Sequence, residues 1–178
     1  HRSNKASEHT VIGSHCFLMA NSHVAHNCTL GNHVILANGA LLGGHVTVQD
    51  RAFISGNCLV HQFVRVGTLA LMQGGSAISK DLPPFTIARG DNGICGLNII
   101  GLRRAGFSAE QRLELKRLYQ LLFRSGRKLR EALADAEQGF ATVAARTVIE
   151  FVVASKRGVC ADVGSNRGDG DDGDDKAG

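Results

Sequence analysis

A six-residue repeat runs through the first half of the chain and constrains its fold more than any other feature. The residue two places before each repeat position is small or of modest size, from Thr10 to Ser76. This double register is typical of a parallel β-helix, in which each hexad forms one short strand and one turn. Three hexads close a triangular coil, and coils stack at roughly 4.8 Å, the strand spacing. The repeat positions themselves are aliphatic or methionine: Ile12, Leu18, Val24, Leu30, Leu36, Leu42, Val48, Ile54, Val60, Val66, Met72 and Ile78.

The composition supports a core of small and aliphatic side chains. The 178 residues include 22 glycines, one tyrosine and no tryptophan, which are too few large aromatics for an ordinary mixed core. Cys16, Cys28 and Cys58 occupy the small inward position of the repeat and are predicted to be buried. Cys95 and Cys160 lie outside the repeat, and no CxxC pair suggests a zinc ribbon or a redox site. Free, buried thiols fit a reducing cytoplasm.

Pro83-Pro84 marks the end of the repeat, because consecutive prolines cannot continue a strand ladder. We therefore expect the β-helix to occupy residues 1–84. A glycine-containing connection is expected over residues 85–107. The chain beyond it changes from a six-residue to a helical periodicity.

A small helical domain is predicted over residues 108–158. Ser108 begins the sequence SAEQ, a capping-box pattern that places Gln111 at the third helical position. Gly158 is expected to end the last helix. Apolar residues at helical spacing predict helices near 109–124, 127–138 and 141–155.

The charge distribution is asymmetric. Residues 162–178 contain six aspartates against Arg167 and Lys176, so this segment carries −4 while the rest of the chain carries +8. The low-complexity stretch 159–178 is predicted to be a disordered acidic tail. No apolar run reaches membrane-spanning length, so we expect no membrane insertion. The basic body suggests an anionic partner.

Four histidines are predicted to share one side of the prism. Residues 18 apart stack in such a coil, so His26 lies beneath Gly44 and His45 stands over Asn27. None of the four occupies an inward register, which argues against buried core histidines. His15 and His33 stack over a different side and are expected to be structural or surface residues. The four that share one side are His23, His26, His45 and His61.

Three interpretations of these histidines are open on spacing alone. A neutral imidazole can act as a general base at neutral pH, and Gly44 would allow close approach of substrate and offer its N–H to an oxyanion. Histidines from two subunits of a trimer could bind zinc, as in carbonic anhydrases of the β-helix class. The repeat could also be a non-catalytic scaffold that displays a polar stripe.

Several motifs in a fixed order resemble one family. They are HVAHNC at 23–28, GGHV at 43–46, HQF at 61–63, DLPPF at 81–85 and GLRRAGF at 101–107, followed by helices. Up to about residue 158, the chain is similar to the UDP-N-acetylglucosamine O-acyltransferases that catalyse the first step of lipid A biosynthesis. The N-acyltransferases of the same pathway share the β-helix. The HQF segment and GLRRAGF favour the O-acyltransferases.

The resemblance implies a left-handed β-helix of about four coils and a homotrimer with sites between adjacent prisms. The implied reaction moves a 3-hydroxyacyl chain from acyl carrier protein to the 3-hydroxyl of the UDP-amino sugar. His26 matches the general base and Gly44 the residue whose amide binds the oxyanion. No metal is implied. The matched substrate-binding positions are His23, His45, His61, Gln62, Gly74, Asn98 and Arg104.

The resemblance also implies a cytoplasmic enzyme without a cofactor of its own, since the phosphopantetheine arrives on the carrier protein. Nucleic acid is not an expected partner. Acyl carrier protein is acidic, so the basic helices have the right sign to bind it, although they also fit an ordinary solvated face. Their basic residues are Arg112, Lys116, Arg117, Arg124, Arg127, Lys128 and Arg130.

The sequence departs from the family pattern at several positions. Asn27 stands where the family often has an aspartate beside the base, and an amide cannot stabilise imidazolium by charge. Ala105 replaces a second arginine, and Ile100 replaces an acidic residue. The family's amino-terminal coils have no counterpart here, so the chain is expected to be the carboxy-terminal part of the enzyme. We expect it to be a poor enzyme on its own.

Overall fold

Short parallel strands build a triangular prism in a computed structural model that describes residues 1–3 and 7–164. Within these residues, strands two residues long fall on three faces and pair with the strand 18 positions along the chain. The first face holds β1 (Val11–Ile12), β4 (Thr29–Leu30), β7 (Thr47–Val48) and β10 (Arg65–Val66). The second holds β2 (Phe17–Leu18), β5 (Ile35–Leu36), β8 (Phe53–Ile54) and β11 (Leu71–Met72). The third holds β3 (His23–Val24), β6 (Leu41–Leu42), β9 (Leu59–Val60) and β12 (Ala77–Ile78).

The repeat residues fill the prism interior, as predicted. Leu30, Leu36 and Leu42 are at most 1% exposed, and Cys28 and Cys58 are fully buried between them. In the first coil, β1 and β2 are edge strands among the described residues. Ile12 and Leu18 are therefore 44% and 40% exposed, and Cys16 is only partly buried. The predicted β-helix followed by helices is confirmed.

The prism turns at corners that require unusual backbone. Several corners hold a non-glycine residue with positive φ, including Asn27, His45 and Phe63 at 61°, 60° and 65°. Asparagine and histidine tolerate this left-handed region better than most residues. Because these three residues are 18 apart, they stack at one corner and fix the direction of the side chains next to them.

The segment after the prolines, for which a connection over 85–107 was expected, contains regular structure. β13 (Thr86–Arg89) extends the second face beyond β11 (Leu71–Met72), and β14 (Gly93–Leu97) folds back antiparallel against it. Pro83 and Pro84 interrupt only a corner. Their missing N–H groups cost nothing there, because Leu82 and Phe85 on either side donate to the preceding coil. A short helix, α1 (Ile99–Arg104), follows.

Residues 159–164 were expected to belong to a disordered tail and are instead ordered. β15 (Ala161–Asp162) pairs with β14, and Cys160 is fully buried. Asp162 forms an ion pair with Arg124. These contacts compensate for the low apolar content of the segment. The remainder of the predicted tail, 165–178, lies outside the described residues.

Three longer helices lie in the predicted stretches. α2 (Ala109–Tyr119) begins with the expected capping box of Ser108 and Gln111 and continues into a π-helical segment, Gln120–Arg124. The next two are α3 (Leu129–Gly139) and α4 (Val143–Val153). The last helix ends at Val153, ahead of the predicted Gly158. Within the described residues, no helix is both long enough and apolar enough to cross a membrane.

A buried carboxylate joins the helices to the prism. Asp81 is 1% exposed and pairs with the Arg65 guanidinium at 2.8 Å. The Ser155 hydroxyl donates to the same carboxylate, and Arg65 also donates to the backbone carbonyl of Phe151. Since a buried carboxylate is costly unless it is paired, this network holds the end of α4 against the first face.

Candidate active site

The corner between the third and first faces, residues 25–28, 43–46 and 61–64, is called the histidine corner below. His26 lies against the backbone of Gly44, as the 18-residue register predicted. A Cβ atom built on Gly44 would lie 2.6 Å from Cε1 and 2.7 Å from Nε2 of His26. The imidazole therefore occupies the space that any side chain at position 44 would need.

Asn27 holds the His26 ring by one hydrogen bond. Nδ1 of His26 lies 2.9 Å from Oδ1 of Asn27, whose own backbone N–H donates to the Thr10 hydroxyl. Asn27 is 9% exposed, while His26 is half-buried. Among the residues that the structure describes, no hydrogen bond reaches Nε2 of His26. One ring nitrogen is thus tethered and the other is available to a substrate.

His45 and Phe63 continue the histidine corner along the prism axis. The His45 ring meets the His26 ring edge-on at 5.2 Å between centroids, and Phe63 stacks on His45 at 4.6 Å. Phe63 is 51% exposed. Nδ1 of His45 lies 3.9 Å from a carboxylate oxygen of Glu8. The corner therefore combines three rings with one negative charge.

An apolar groove on the third face lies beside this corner. Its volume is about 580 Å³, and His23 and His61 line it together with Gly43. His61 is exposed, and the guanidinium of Arg157 lies 3.3 Å from its Nδ1. Much of the groove wall is aliphatic: Ala25, Leu41, Leu42, Leu59, Val60, Ala77 and Ile78. Such a wall suits an alkyl chain better than a sugar.

Asn98 and Arg104 lie elsewhere, in a groove of about 740 Å³ on the second face. Asn98 is 8% exposed; its Oδ1 accepts from Gly101 N–H at the start of α1 and its Nδ2 donates to the Leu69 carbonyl. Much of the amide's hydrogen-bonding capacity is thus used in folding. Arg104 is exposed. Within one chain, these two predicted site residues therefore lie on a different face from the groove beside His26.

The other predicted site residues also divide between locations. Gly74 lies at the corner between the second and third faces, where it is exposed. Gln62 is exposed at the histidine corner, in register above Gly44. The structure thus brings together His23, His26, Gly44, His45, His61 and Gln62.

Known protein families match both the repeat and the segment that follows it. A family described as Udp N-acetylglucosamine O-acyltransferase, domain 2, matches residues 81–160, and bacterial transferase hexapeptide repeats match residues 9–44. The acyl-[acyl-carrier-protein]–UDP-N-acetylglucosamine O-acyltransferase of Halorhodospira halophila is 44% identical over 154 residues, 84% of this chain and 59% of that relative.

Solved structures agree with this similarity. UDP-N-acetylglucosamine acyltransferase from Francisella novicida superposes with a TM-score of 0.86 at 31% identity, covering 91% of this chain and 60% of that one. The enzyme from Campylobacter jejuni gives a TM-score of 0.79 at 30% identity, covering 90% of this chain and 74% of that one. The chain belongs to the UDP-N-acetylglucosamine acyltransferase family. The resemblance found in the sequence motifs is thereby confirmed.

The chain spans 60% or less of the first curated members of the family that it matches. The match nevertheless includes the histidine corner, both grooves and the helices. Whatever the remaining part of such relatives contributes, the residues discussed here form a continuous block of the family's fold.

Some residues at the site of this acyltransferase family member were not predicted. Glu8 contacts both Asn27 and His45, and Thr10 binds the backbone of Asn27. Arg157 reaches His61 from a segment 96 positions away in the chain. The hexad pattern gives no signal for the contacts of Glu8 and Arg157, because both residues lie outside the repeat.

A metal centre within one chain finds no support in the described residues. No three of their histidines, cysteines, aspartates and glutamates lie close enough together to hold an ion. The zinc interpretation would therefore need histidines from two subunits.

Proposed function

We propose that the protein transfers a 3-hydroxyacyl chain from acyl carrier protein to the 3-hydroxyl of UDP-N-acetylglucosamine, the first step of lipid A biosynthesis. The observation that carries the proposal is the arrangement of His26 beneath Gly44. Nδ1 is held by Asn27, Nε2 is left for a substrate hydroxyl, and a bare backbone lies against the ring. Relatives named acyl-[acyl-carrier-protein]–UDP-N-acetylglucosamine O-acyltransferase share the block of the chain in which the arrangement occurs.

His26 acts as general base in this mechanism. Its Nε2 removes the proton of the sugar hydroxyl as the oxygen attacks the thioester carbonyl. A C–O bond forms, and the Gly44 N–H, which donates no hydrogen bond among the described residues, stabilises the oxyanion. Collapse of the intermediate breaks the C–S bond. His26 then returns its proton to the departing thiolate of phosphopantetheine, so no cofactor of the protein's own is needed.

The two grooves bind different substrates. His23 and His61 position the acyl donor in the third-face groove, whose aliphatic wall fits the chain. Gly74 stands at the position that sets the depth available to the chain: as a glycine it leaves the path open, whereas a larger residue there would project into it. His45 and Gln62 contact the reacting groups beside His26. Asn98 and Arg104 bind the nucleotide, with the Arg104 guanidinium facing its phosphates.

A homotrimer completes the site. The nucleotide residues lie on the second face and the base at the opposite corner, so they meet only if the second face of one subunit packs beside the histidine corner of the next. Exposed apolar residues on both sides support this packing: Leu41 and Leu59 at 42% and 50%, and Ile100 at 64%. Two different surfaces joined head to tail close into a ring when the rotation permits.

The carrier protein docks on the helices, whose charge is of the right sign. Arg124 and Arg127 are already paired with Asp162 and Asp135. Arg112 donates to the carbonyl of Phe107. Of the basic residues named for this role in the sequence, that leaves Lys116, Arg117, Lys128 and Arg130 to contact an acidic partner. The five cysteines, all within the described residues, carry free thiols, which fits a cytoplasmic enzyme.

An assay on the intact protein tests the proposal. Purified protein is incubated with 3-hydroxyacyl carrier proteins of increasing chain length and UDP-N-acetylglucosamine, and its zinc content is measured in parallel. We expect acyl transfer without stoichiometric zinc. Zinc bound by the histidines with no transfer would indicate a metalloenzyme, whereas neither activity nor metal would leave a scaffold.

A further inference from the structure

Asn27 is bonded on its far side to a carboxylate. Its amide nitrogen lies 2.6 Å from Oε2 of Glu8 and 2.8 Å from the hydroxyl of Ser3. Glu8 is half-buried and comes from the segment that precedes the first strand. The repeat does not predict a contact between this glutamate and the site of His26, since neither its position nor its spacing belongs to the repeat.

The contact with Glu8 determines how Asn27 faces His26. An ionised carboxylate can only accept hydrogen bonds, so the amide group nearest to Glu8 is the NH₂. The amide oxygen then points to Nδ1 of His26, at 2.9 Å. An amide oxygen also can only accept, so Nδ1 carries the ring proton and Nε2 carries the lone pair.

We infer that Glu8 is a positioning residue for the base: through Asn27 it selects the tautomer of His26 that can remove a proton, and its charge stabilises the imidazolium that results. The inference rests on the proposed function of His26. The carboxylate thus acts on the ring through the Asn27 amide, which lies between them.

The charge of Glu8 acts on two rings. Its Oε2 lies 3.9 Å from Nδ1 of His45, which in turn meets His26 edge-on. When His26 takes up a proton, the amide of Asn27 is polarised between the imidazolium and the carboxylate. Hydrogen bonds that involve an ionised group are stronger than neutral ones, and a chain of them is polarised cooperatively.

Loss of the carboxylate should release the amide. A neutral partner at position 8 can both donate and accept, so Asn27 could turn its NH₂ group to His26. That orientation stabilises the tautomer with the proton on Nε2, which cannot act as a base. A fraction of the enzyme would then be inactive without any change in the grooves that bind the substrates.

The test compares Glu8→Gln with Glu150→Gln in the intact protein. Glu150 is an exposed glutamate of α4 and lies outside the histidine corner, so its variant controls for the loss of one negative charge. We expect Glu8→Gln to lower kcat about tenfold, as loss of an orienting partner commonly does, with KM changed less than about twofold. Nitrogen-15 NMR of the free enzyme should show His26 protonated mainly on Nδ1 in the wild type and in Glu150→Gln, and a mixed population in Glu8→Gln.

A double variant separates positioning from folding. Glu8→Gln combined with Asn27→Asp places a carboxylate directly on Nδ1, with the glutamine amide free to donate to it. We expect this pair to recover most of the lost kcat and the Nδ1-protonated tautomer.

Two results would overturn the inference. One is a Glu8→Gln variant with wild-type kcat and an unchanged tautomer. The other is an equal loss of kcat in the single and double variants accompanied by a lower melting temperature. If the wild type itself transferred no acyl group, the proposed function would fail instead, and the NMR comparison of the free enzymes would still decide whether Glu8 sets the tautomer.

Discussion

Two corners of the same prism carry stacked histidines, yet only one has the features of a catalytic site. His15 and His33 lie at the corner between the first and second faces, where their exposed rings stack nearly parallel at 4.9 Å. Both residues occupy the left-handed backbone position of the turn. At the histidine corner, His26 precedes that position, and Asn27 occupies it. The ring is therefore turned along the corner and held by the next residue.

The space above each histidine also differs. His15 is followed in its stack by another imidazole, so each ring fills the space beside the other. His26 is followed by Gly44, so the ring lies against backbone and its Nε2 stays accessible. The same coil geometry thus places two stacked imidazoles on the surface at one corner and an imidazole with an accessible Nε2 at the other. Residue type alone does not distinguish them; the neighbours 1 and 18 positions away do.

Removal of each imidazole should give the largest contrast between the corners. We expect His26→Ala to lower kcat by about 10² to 10⁴-fold, the usual contribution of a positioned general base. His15→Ala should stay close to wild type, because its exposed ring stacks on that of His33 at the surface. Steady-state acyl transfer measures both. Similar losses from the two variants would mean that the substitutions act through folding, and circular dichroism melts would then show it.

A methyl group at position 44 should break the feature that sets the histidine corner apart. Gly44→Ala brings a Cβ to 2.6 Å from the His26 ring, so the ring must move, and misplacement of a reacting group by about 1 Å can cost around 10²-fold in rate. Gly56→Ala is the matched control, since a Cβ there would meet only the Asn38 carbonyl at 3.3 Å. Wild-type kcat in Gly44→Ala would show that the ring position is irrelevant to the chemistry.

Much of this comparison could be predicted from the sequence, because the repeat fixes the register. In-register parallel pairing places residue i beneath i + 18, so the repeat alone predicts His26 beneath Gly44 and His15 beneath His33. The contacts of Glu8 and Arg157 could not be predicted. Both residues lie in segments that approach the prism from outside the repeat, and no periodicity fixes the path of such segments.

The same reason explains the errors beyond the prism. β13 (Thr86–Arg89) and β15 (Ala161–Asp162) join the sheet through backbone hydrogen bonds rather than through a hydrophobic pattern. Helix starts were easier to predict, since Ser108 and Gln111 form a local capping box. Predictions that depend on local or periodic signals succeeded, and those that depend on where an aperiodic segment returns did not.

Mixed trimers test whether the second face of one subunit serves the histidine corner of another. We expect His26→Ala and Arg104→Ala each to be nearly inactive alone. Random mixing of equal amounts should restore about one quarter of the sites, because each site takes its two residues from different subunits of a closed ring. Arg104 is preferable to Asn98, whose amide caps α1. If unfolded and refolded mixtures stay as inactive as the separate variants, each chain contains its own site.

Asn27→Asp should have the smallest effect, and the structure determines its sign. A carboxylate beside the base would by itself favour imidazolium and raise activity. Here it would replace the amide NH₂ that lies 2.6 Å from Glu8, so two carboxylates would face each other. Two carboxylates at such a short distance repel each other when both are ionised. Either they share a proton or one of the two side chains moves away. We therefore expect a decrease in kcat of a few fold, measured against the double variant Glu8→Gln with Asn27→Asp, in which one of the two charges is removed. A single variant more active than both the wild type and the double variant would show that Glu8 does not face position 27 in solution.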